Sequence, residues 1–192
     1  MEQSPLIALN KETCTGCYAC VRTCPVKAIH VHSGSPVPEV NNNRCIGCGD
    51  CVLVCVPKAI TYRSSLQEAR SLFESGGKIV ALLSPSISAE FDDISDYRKL
   101  VTMIKALGVQ HVNEVSFAVD LLAYRYLSLL NDFKGRYYIT SIDPVVVNYI
   151  EKYHTNLISN MAPLVSPMIA MAKIIHKIHG EDTRLIYIGP EI

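Results

Sequence analysis

The chain has 192 residues, enough for one medium-sized domain or two small ones. Its 18 Lys and Arg are balanced by 18 Asp and Glu, so the basic face of a nucleic-acid-binding protein is not expected. Apolar residues make up 49% and charged residues 19%, which is typical of a chain with a packed core rather than a disordered one. The first residues lack a secretory signal and no segment is apolar enough to span a membrane, so we expect a cytoplasmic protein.

All eight cysteines of the chain fall in two runs of identical spacing, C-x2-C-x2-C-x3-C. The first run is Cys14, Cys17, Cys20 and Cys24, and the second is Cys45, Cys48, Cys51 and Cys55. The offset that relates the runs also aligns Gly16 with Gly47 and Lys27-Ala28-Ile29 with Lys58-Ala59-Ile60. This internal duplication predicts two structurally similar halves.

Two such runs are the pattern of bacterial ferredoxins with two [4Fe–4S] clusters, in which each run gives its fourth thiolate to the other cluster. The rule predicts one cluster bound by Cys14, Cys17, Cys20 and Cys55, and another bound by Cys45, Cys48, Cys51 and Cys24. Three closely spaced thiolates can hold three irons of one cubane face, so the fourth iron needs a ligand from the other half. A disulfide framework is typical of secreted proteins, and paired zinc hooks would leave cysteines over, so both alternatives fit poorly.

Short strands are predicted at residues 28–32, 38–40 and 60–62, with a short helix after each cysteine loop. Together they predict an α+β, ferredoxin-like βαββαβ domain over residues 1–63. His30 and His32 share one face of the first strand, and we interpret them as strand residues because the cysteines already account for every iron site. Val56 separates Cys55 from Pro57, whereas Pro25 follows Cys24 directly, which leaves the geometry of the second turn open.

Helices and strands alternate after residue 63. Residues 64–77 predict a connecting helix that stops at Gly76-Gly77, and residues 78–192 predict an α/β domain. Strands are predicted at residues 78–83, 111–117, 136–141 and 184–188. Helices are predicted at residues 96–107, 119–130, 143–153 and 166–179, the last two with Asp143 and Ser166 as N-caps before a proline. The alternation predicts a mostly parallel four-stranded sheet covered by helices.

Several short motifs of this region occur in the order found in a known family. They are Leu83-Ser84-Pro85-Ser86, Ala106-Leu107-Gly108-Val109, Phe117-Ala118-Val119-Asp120, Thr140-Ser141-Ile142-Asp143-Pro144, Tyr149-Ile150-Glu151-Lys152-Tyr153 and Ser166-Pro167. With the preceding cysteine-rich module, the chain resembles the iron-only ([FeFe]) hydrogenases over nearly its whole length. The resemblance implies a hydrogenase-like catalytic domain that follows a two-cluster ferredoxin module.

The chain departs from that family where the resemblance implies catalytic cysteines. The family's first active-site motif, Thr-Ser-Cys-Cys-Pro, contains a proton-relaying cysteine and a ligand of the active-site cubane, and Ile142 and Asp143 stand in their places. Glu191 follows Pro190 where the family has a cysteine, and the third, cysteine-rich motif is not found before Ile192. One carboxylate cannot replace four thiolates, and an isoleucine cannot pass a proton. We therefore expect no hydrogenase activity and no catalytic residues.

These observations favour an iron–sulfur electron-transfer protein or subunit that relays electrons within a redox complex, with redox proteins as partners. Residues 1–63 carry six Lys and Arg and four Asp and Glu. Two oxidised clusters, each of charge about −2, would bring this module to about −2, which is less acidic than freely diffusing ferredoxins. Two alternatives stay open: a redox-sensing module related to sensory hydrogenases, and the N-terminal part of a larger hydrogenase-like enzyme.

Two further groups of residues have competing interpretations. The predicted strand ends at residues 84–86 and 140–141 lie where an α/β sheet can bind a small anion, although ordinary capping explains the same hydroxyl groups. His176 and His179 lie one turn apart near a helix end, where interaction with the helix dipole explains them better than a metal site.

Overall fold

The computed structural model describes residues 5–90, 96–132, 135 and 138–189. Within them the chain divides into two compact units. The first unit comprises the described residues up to Ser64 together with Val145–Ile158, and the second comprises Ser65–Pro144 and the described residues from Ser159 onward. The longest described helix has 16 residues, and no helix in these ranges has the length and apolar character needed to cross a membrane.

The first unit contains two small antiparallel sheets and two short helices. Its elements are β1 (Ile7–Leu9), α1 (Ala19–Thr23), β2 (Ile29–His30), β3 (Glu39–Val40), α2 (Asp50–Leu53) and β4 (Ile60–Tyr62). Strand β1 pairs with β4, and β2 pairs with β3. The predicted short strands and the short helix after each cysteine loop are therefore present, although each sheet has only two strands. The strand predicted at residues 28–32 is shorter than expected, since β2 ends at His30 and His32 lies in the turn that follows.

The turn after the fourth cysteine is the same in both halves. The backbone N–H of Lys27 donates to the carbonyl of Cys24 at 3.3 Å, and that of Lys58 donates to Cys55 at 2.9 Å. Both lysines have a φ of 52°, in the left-handed region. Val56 therefore leaves the turn unchanged. The proline of the second turn stands one position later than that of the first, and the hydrogen bond that closes the turn is kept.

The second unit is built around a parallel sheet. Its elements are α3 (Leu66–Glu74), β5 (Ile79–Leu83), a 3-10 helix (Pro85–Glu90), α4 (Tyr97–Ala106), β6 (His111–Glu114), α5 (Ser116–Asn131), α7 (Pro167–His179) and β7 (Arg184–Ile188). Between α5 and α7 the chain forms α6 (Pro144–Tyr153) and a second 3-10 helix (Thr155–Asn160), most of which belong to the first unit. The sheet has the order β6-β5-β7, and both pairings are parallel. The chain is therefore an α+β protein with an α/β second unit.

The sheet has three strands in the described residues, where the sequence predicted four. The fourth strand was predicted at residues 136–141, of which residues 136 and 137 lie outside the described residues. Ile139 forms a single parallel bridge with Met161, and its N–H donates to Asn160 while its carbonyl accepts from Ala162. The β-favouring residues of this segment thus pair with the chain before α7 and do not extend the sheet.

Strand β5 is central and buried throughout. Its successive side chains point to opposite faces of the sheet, and both faces are covered. On one face its Val80 and Leu82 pack against residues of the α5 and α7 region, namely Val115, Ala118, Met171 and Ile175. On the other face Ile79, Ala81 and Leu83 pack against Ile104 of α4, with Phe73 of α3 and Leu100 partly buried beside them. A continuous apolar strand is the expected pattern for a parallel sheet with helices on both faces.

Truncation of Leu82 should destabilise the second unit. Its side chain is 1% exposed, and Leu→Ala at such a position costs about 2–5 kcal/mol of unfolding free energy because it leaves a cavity. The matched control is Leu127→Ala on α5, where the leucine is 58% exposed and the expected loss is below about 1 kcal/mol. Urea unfolding followed by far-ultraviolet circular dichroism measures both, and equal losses would contradict this packing.

Candidate metal centres

The eight cysteine thiols of the first unit are not joined in disulfides, and they line two cavities. One cavity is lined by Cys24, Cys45, Cys48 and Cys51, and the other by Cys14, Cys17, Cys20 and Cys55. Each cavity thus takes three cysteines from one run and the fourth from the other run. The two spaces are similar in size, about 340 and 300 Å³ with their openings to solvent included.

The other residues around both cavities are mostly apolar. Ile7, Val26 and Ile29 line the first, and Leu9, Pro38 and Ile60 line the second. Ile7, Val26, Ile29 and Ile60 belong to one hydrophobic cluster that also contains Cys20, Cys24 and Cys51, and Leu9 packs against it. Three of the thiols are therefore part of the core of this unit, and Cys45, Cys48 and Cys55 pack against it.

Glycines shape the loop that carries the first cysteines of each run. Gly16 has a φ of +68° and Gly47 a φ of +82°, a region that favours glycine. A Cβ at Gly16 would lie 3.1 Å from the carbonyl oxygen of Pro36, and one at Gly47 would lie 2.9 Å from a methyl group of Leu6. Both loops therefore wrap closely against the rest of the unit.

The fourth cysteine of each run accepts a hydrogen bond at sulfur. The N–H of Ala28 lies 3.2 Å from Cys24 Sγ, and the N–H of Ile60 lies 3.4 Å from Cys55 Sγ. Ala28 directly precedes β2, and Ile60 is the first residue of β4. Backbone N–H groups aimed at sulfur stabilise negative charge on a cluster ligand, which is one of the ways a protein sets a cluster's potential.

Burial disfavours the thiolate form of three cysteines in the folded chain without metal. It raises the pKa of Cys51 to about 11, with a further contribution from the nearby Cys45, Cys48 and Cys24. Burial also raises the pKa of Cys20 and of Cys48. Metal ligation requires the deprotonated thiolates, so binding must release protons and supply the positive charge that offsets this cost.

Helix α6 packs on the loop that carries the second cysteine run. The ammonium of Lys152 donates to the carbonyls of Cys45 and Asn42, and the amide of Asn148 donates to the carbonyl of Ile46 at 3.3 Å. The Tyr153 hydroxyl donates to Arg44 at 2.7 Å. The sequence predicted this helix but gave no signal for its partner, so its contribution to the cysteine loop was missed.

The hydroxyl groups at the predicted strand ends are engaged within the protein. The Oγ atoms of Ser84 and Ser86 lie 2.6 Å apart, and Ser84 is almost fully buried. Ser141 Oγ donates to the carbonyls of Ala162 and Leu164. These contacts favour the interpretation as local capping over an anion site.

His176 and His179 do not converge on one point. His176 Nδ1 lies 3.3 Å from the carbonyl oxygen of Gly180, at the end of α7. His179 Nδ1 lies 2.8 Å from the ammonium of Lys78, and its ring stacks on His111 at 4.6 Å. Partial burial, with Lys78 and His111 nearby, lowers the pKa of His179. The two histidines therefore have separate structural roles.

The positions that replace the expected catalytic cysteines are only partly described. Ile142 and Asp143 are exposed and directly precede α6, which begins at Pro144. Pro190, Glu191 and Ile192 lie outside the described residues.

Two family matches agree with this site. Residues 6–56 match the 4Fe-4S dicluster domain, and residues 77–191 match the iron only hydrogenase large subunit, C-terminal domain. The resemblance inferred from the motifs is thus confirmed. The donor set also fits iron–sulfur clusters, since soft thiolates in apolar surroundings are the ligands that such clusters require.

Removal of iron should unfold much of the first unit and leave the second folded. The metal-free unit must bury thiols that repel one another once ionised, and it has few large apolar side chains to compensate. Amide hydrogen exchange should show lost protection in residues 11–60 and retained protection in β5 and its neighbours.

Any structure that remains in the metal-free unit should weaken as pH rises. The pKa of Cys51 is about 11 when folded against an ordinary value of 9.0, so the unfolded chain loses its proton first and stability falls between those values. Protection of residues 11–60 that is unchanged by iron removal would contradict the prediction that the unit unfolds, and residual protection that does not fall between pH 9 and about 11 would contradict this one.

Proposed function

The chain belongs to the iron-only hydrogenase large-subunit family, and on that premise we propose that it transfers electrons through two [4Fe–4S] clusters without catalysing hydrogen chemistry itself. The observation that carries the proposal is the division of the eight cysteines between two cavities. We propose that Cys14, Cys17, Cys20 and Cys55 bind one cluster. Cys45, Cys48, Cys51 and Cys24 bind the other.

The proposed organisation is a ferredoxin domain at residues 1–63, a connecting helix at 64–77 and a hydrogenase-like domain at 78–192. Each bound cluster supplies one-electron oxidation and reduction at a potential set by its protein surroundings. The protein's part is to hold the thiolates in place, to exclude water with the apolar walls of the cavities, and to direct N–H groups at Cys24 and Cys55. These roles need no substrate pocket.

The contacts of α6 support a built-in relay, in which the hydrogenase-like part of the sequence reaches a ferredoxin cluster. The motif Tyr149-Ile150-Glu151-Lys152-Tyr153 belongs to the hydrogenase-like region of the sequence, yet its Lys152 and Tyr153 bind the loop that carries Cys45. The cation of Lys152 lies next to a ligand of the proposed second cluster and favours the reduced, more negative form of that cluster. A segment of the hydrogenase-like domain thus contributes to the environment of a ferredoxin cluster.

The absence of hydrogen chemistry follows from the side chains at the family's catalytic positions. Ile142 has no group that can donate a proton, and Asp143 offers a carboxylate where a thiolate is needed. Residues 56–192 contain no cysteine, so this region supplies no thiolate for a third cubane or a di-iron centre. In this proposal, electrons that enter the two clusters pass to a partner protein or are stored.

Cluster content and ligand pairing can be tested together. We expect about eight irons and eight sulfides per chain after anaerobic reconstitution. The double variant Cys24→Ser/Cys45→Ser removes two ligands of the same cluster, so about four irons should remain. The matched variant Cys24→Ser/Cys14→Ser removes one ligand from each cluster and should disturb both.

Iron analysis and electron paramagnetic resonance of the dithionite-reduced variants distinguish these cases. If Cys24→Ser/Cys14→Ser kept one intact cluster, the pairing would be wrong. A wild-type content near four irons, or zinc in place of iron, would remove the two-cluster proposal.

Hydrogen turnover should be absent. The chain is to be co-expressed with the full hydrogenase assembly machinery, reduced with a viologen and assayed for hydrogen by gas chromatography. The control is Asp143→Ala, which should be as inactive as the parent chain because Asp143 holds no catalytic metal. Turnover by the parent chain that the Asp143→Ala variant loses would overturn the non-catalytic proposal.

A further inference from the structure

Two histidines and a glutamate meet on the outer side of the β2–β3 pair. Nε2 of His30 lies 2.9 Å from Nε2 of His32, and His32 Nε2 lies 3.3 Å from an oxygen of Glu39. One ligand atom from each of the three residues lies within 4.8 Å of the other two. Three side chains that can each offer a lone pair to a metal therefore converge on one point.

The strand register explains why these residues meet. His30 of β2 lies directly opposite Glu39 of β3 in the antiparallel pair, and His32 is two positions further along the chain. Residues directly opposite one another in an antiparallel pair have neighbouring side chains. The cluster is therefore fixed by backbone pairing at two of its three members.

We propose that His30, His32 and Glu39 form a surface site for a divalent transition metal of the zinc type, separate from the cysteine cavities. Zinc bonds to nitrogen and oxygen of about 2.0–2.1 Å place the ligands of a tetrahedral ion about 3.3 Å apart. The two spacings of the cluster, 2.9 and 3.3 Å, are close to that value. Two imidazoles and a carboxylate leave a fourth position for a water molecule.

The arrangement of the rings is what a metal requires. Two Nε2 atoms that face each other form a hydrogen bond only when one of them carries a proton and the other does not. A bound metal ion takes the place of that single proton and uses the lone pairs of both nitrogens. The rings meet edge to face, with centroids 4.5 Å apart, so the two nitrogens approach without stacking of the rings.

Lys11 is a positively charged neighbour of the proposed site. Its ammonium donates to one carboxylate oxygen of Glu39 at 3.0 Å, while the other oxygen faces His32. The hydrogen bond and charge of Lys11 also lower the pKa of Glu39, which keeps the carboxylate ionised. Lys11 therefore orients Glu39 and leaves one oxygen for the ion.

The site lies behind the wall of a cysteine cavity. On the inner side of the same strand pair, Ile29 and Val40 line the cavity that contains Cys24 and Cys45. Each strand of the pair has only two residues, so little backbone bonding holds it together. A metal bound by His30, His32 and Glu39 would cross-link the two strands and stiffen that wall.

The test is zinc binding to the chain with its clusters loaded, by isothermal titration calorimetry under anaerobic conditions. We expect one zinc per chain, and we expect His32→Ala and Glu39→Gln each to weaken binding by at least about tenfold. The matched control, His176→Asn, removes a histidine outside the cluster and should bind zinc like the parent chain. Iron content and visible absorbance of every variant show whether the first unit is intact.

Zinc K-edge absorption spectroscopy of the same sample identifies the ligands. Nitrogen and oxygen at about 2.0–2.1 Å with no sulfur supports the site, whereas sulfur at about 2.3 Å places the zinc on cysteines and overturns it. An unchanged affinity in His32→Ala and Glu39→Gln also overturns it. Iron that is absent while zinc binds through nitrogen and oxygen would count against the proposed clusters and not against this site.

Discussion

The grouping of four thiols around each of two cavities, with Cys20, Cys24 and Cys51 buried, is the constraint on which the first unit depends. Thiols in such a place resist ionisation, as the raised pKa of Cys51 shows, yet a cluster accepts only thiolates. The metal must therefore supply the charge that makes the buried sulfurs stable. Folding of this unit and acquisition of its cofactor are for that reason one event in energetic terms.

The same constraint explains the local backbone of the unit. Loops that bring three cysteines to one cavity must turn tightly, which places Gly16 and Gly47 at positive φ. Lys27 and Lys58 also adopt left-handed conformations, at a cost that the surrounding hydrogen bonds and packing offset. The repetition of these details in both halves is what an internal duplication leaves behind when each half has kept the same task.

Sequence reasoning was strongest where spacing along the chain determines proximity in space. Each run contains four cysteines, and the ligand rule of two-cluster ferredoxins, rather than their number, predicted that Cys24 and Cys55 are shared with the other run. The meeting of His30 with Glu39 was not predictable, because the residues between β2 and β3 form a loop long enough to allow several registers. His30 and His32 were interpreted as strand residues because the cysteines already account for every iron site, and nothing in the sequence indicated that Glu39 lies beside them.

Longer-range packing was the other limit. The capping residues Asp143 and Pro144 predicted a helix over residues 143–153, but such a local signal does not say what covers Val145 and Ile150. Likewise, the β-favouring residues around Ile139 indicated an extended segment, and its single bridge to Met161 depends on a distant part of the chain. Strand β5 was predicted well because an uninterrupted apolar run has few alternatives to the centre of a sheet.

Helix α6 also bears on how such modules can be exchanged between proteins in evolution. The first unit is assembled from two separate stretches of sequence, and within the described residues the carbonyls of Asn42, Cys45 and Ile46 accept hydrogen bonds from side chains of the later stretch. A gene segment that encoded the cysteine runs alone would leave those carbonyls to water. Recombination at the end of the first stretch would therefore yield a unit without the α6 contacts to its second cysteine loop.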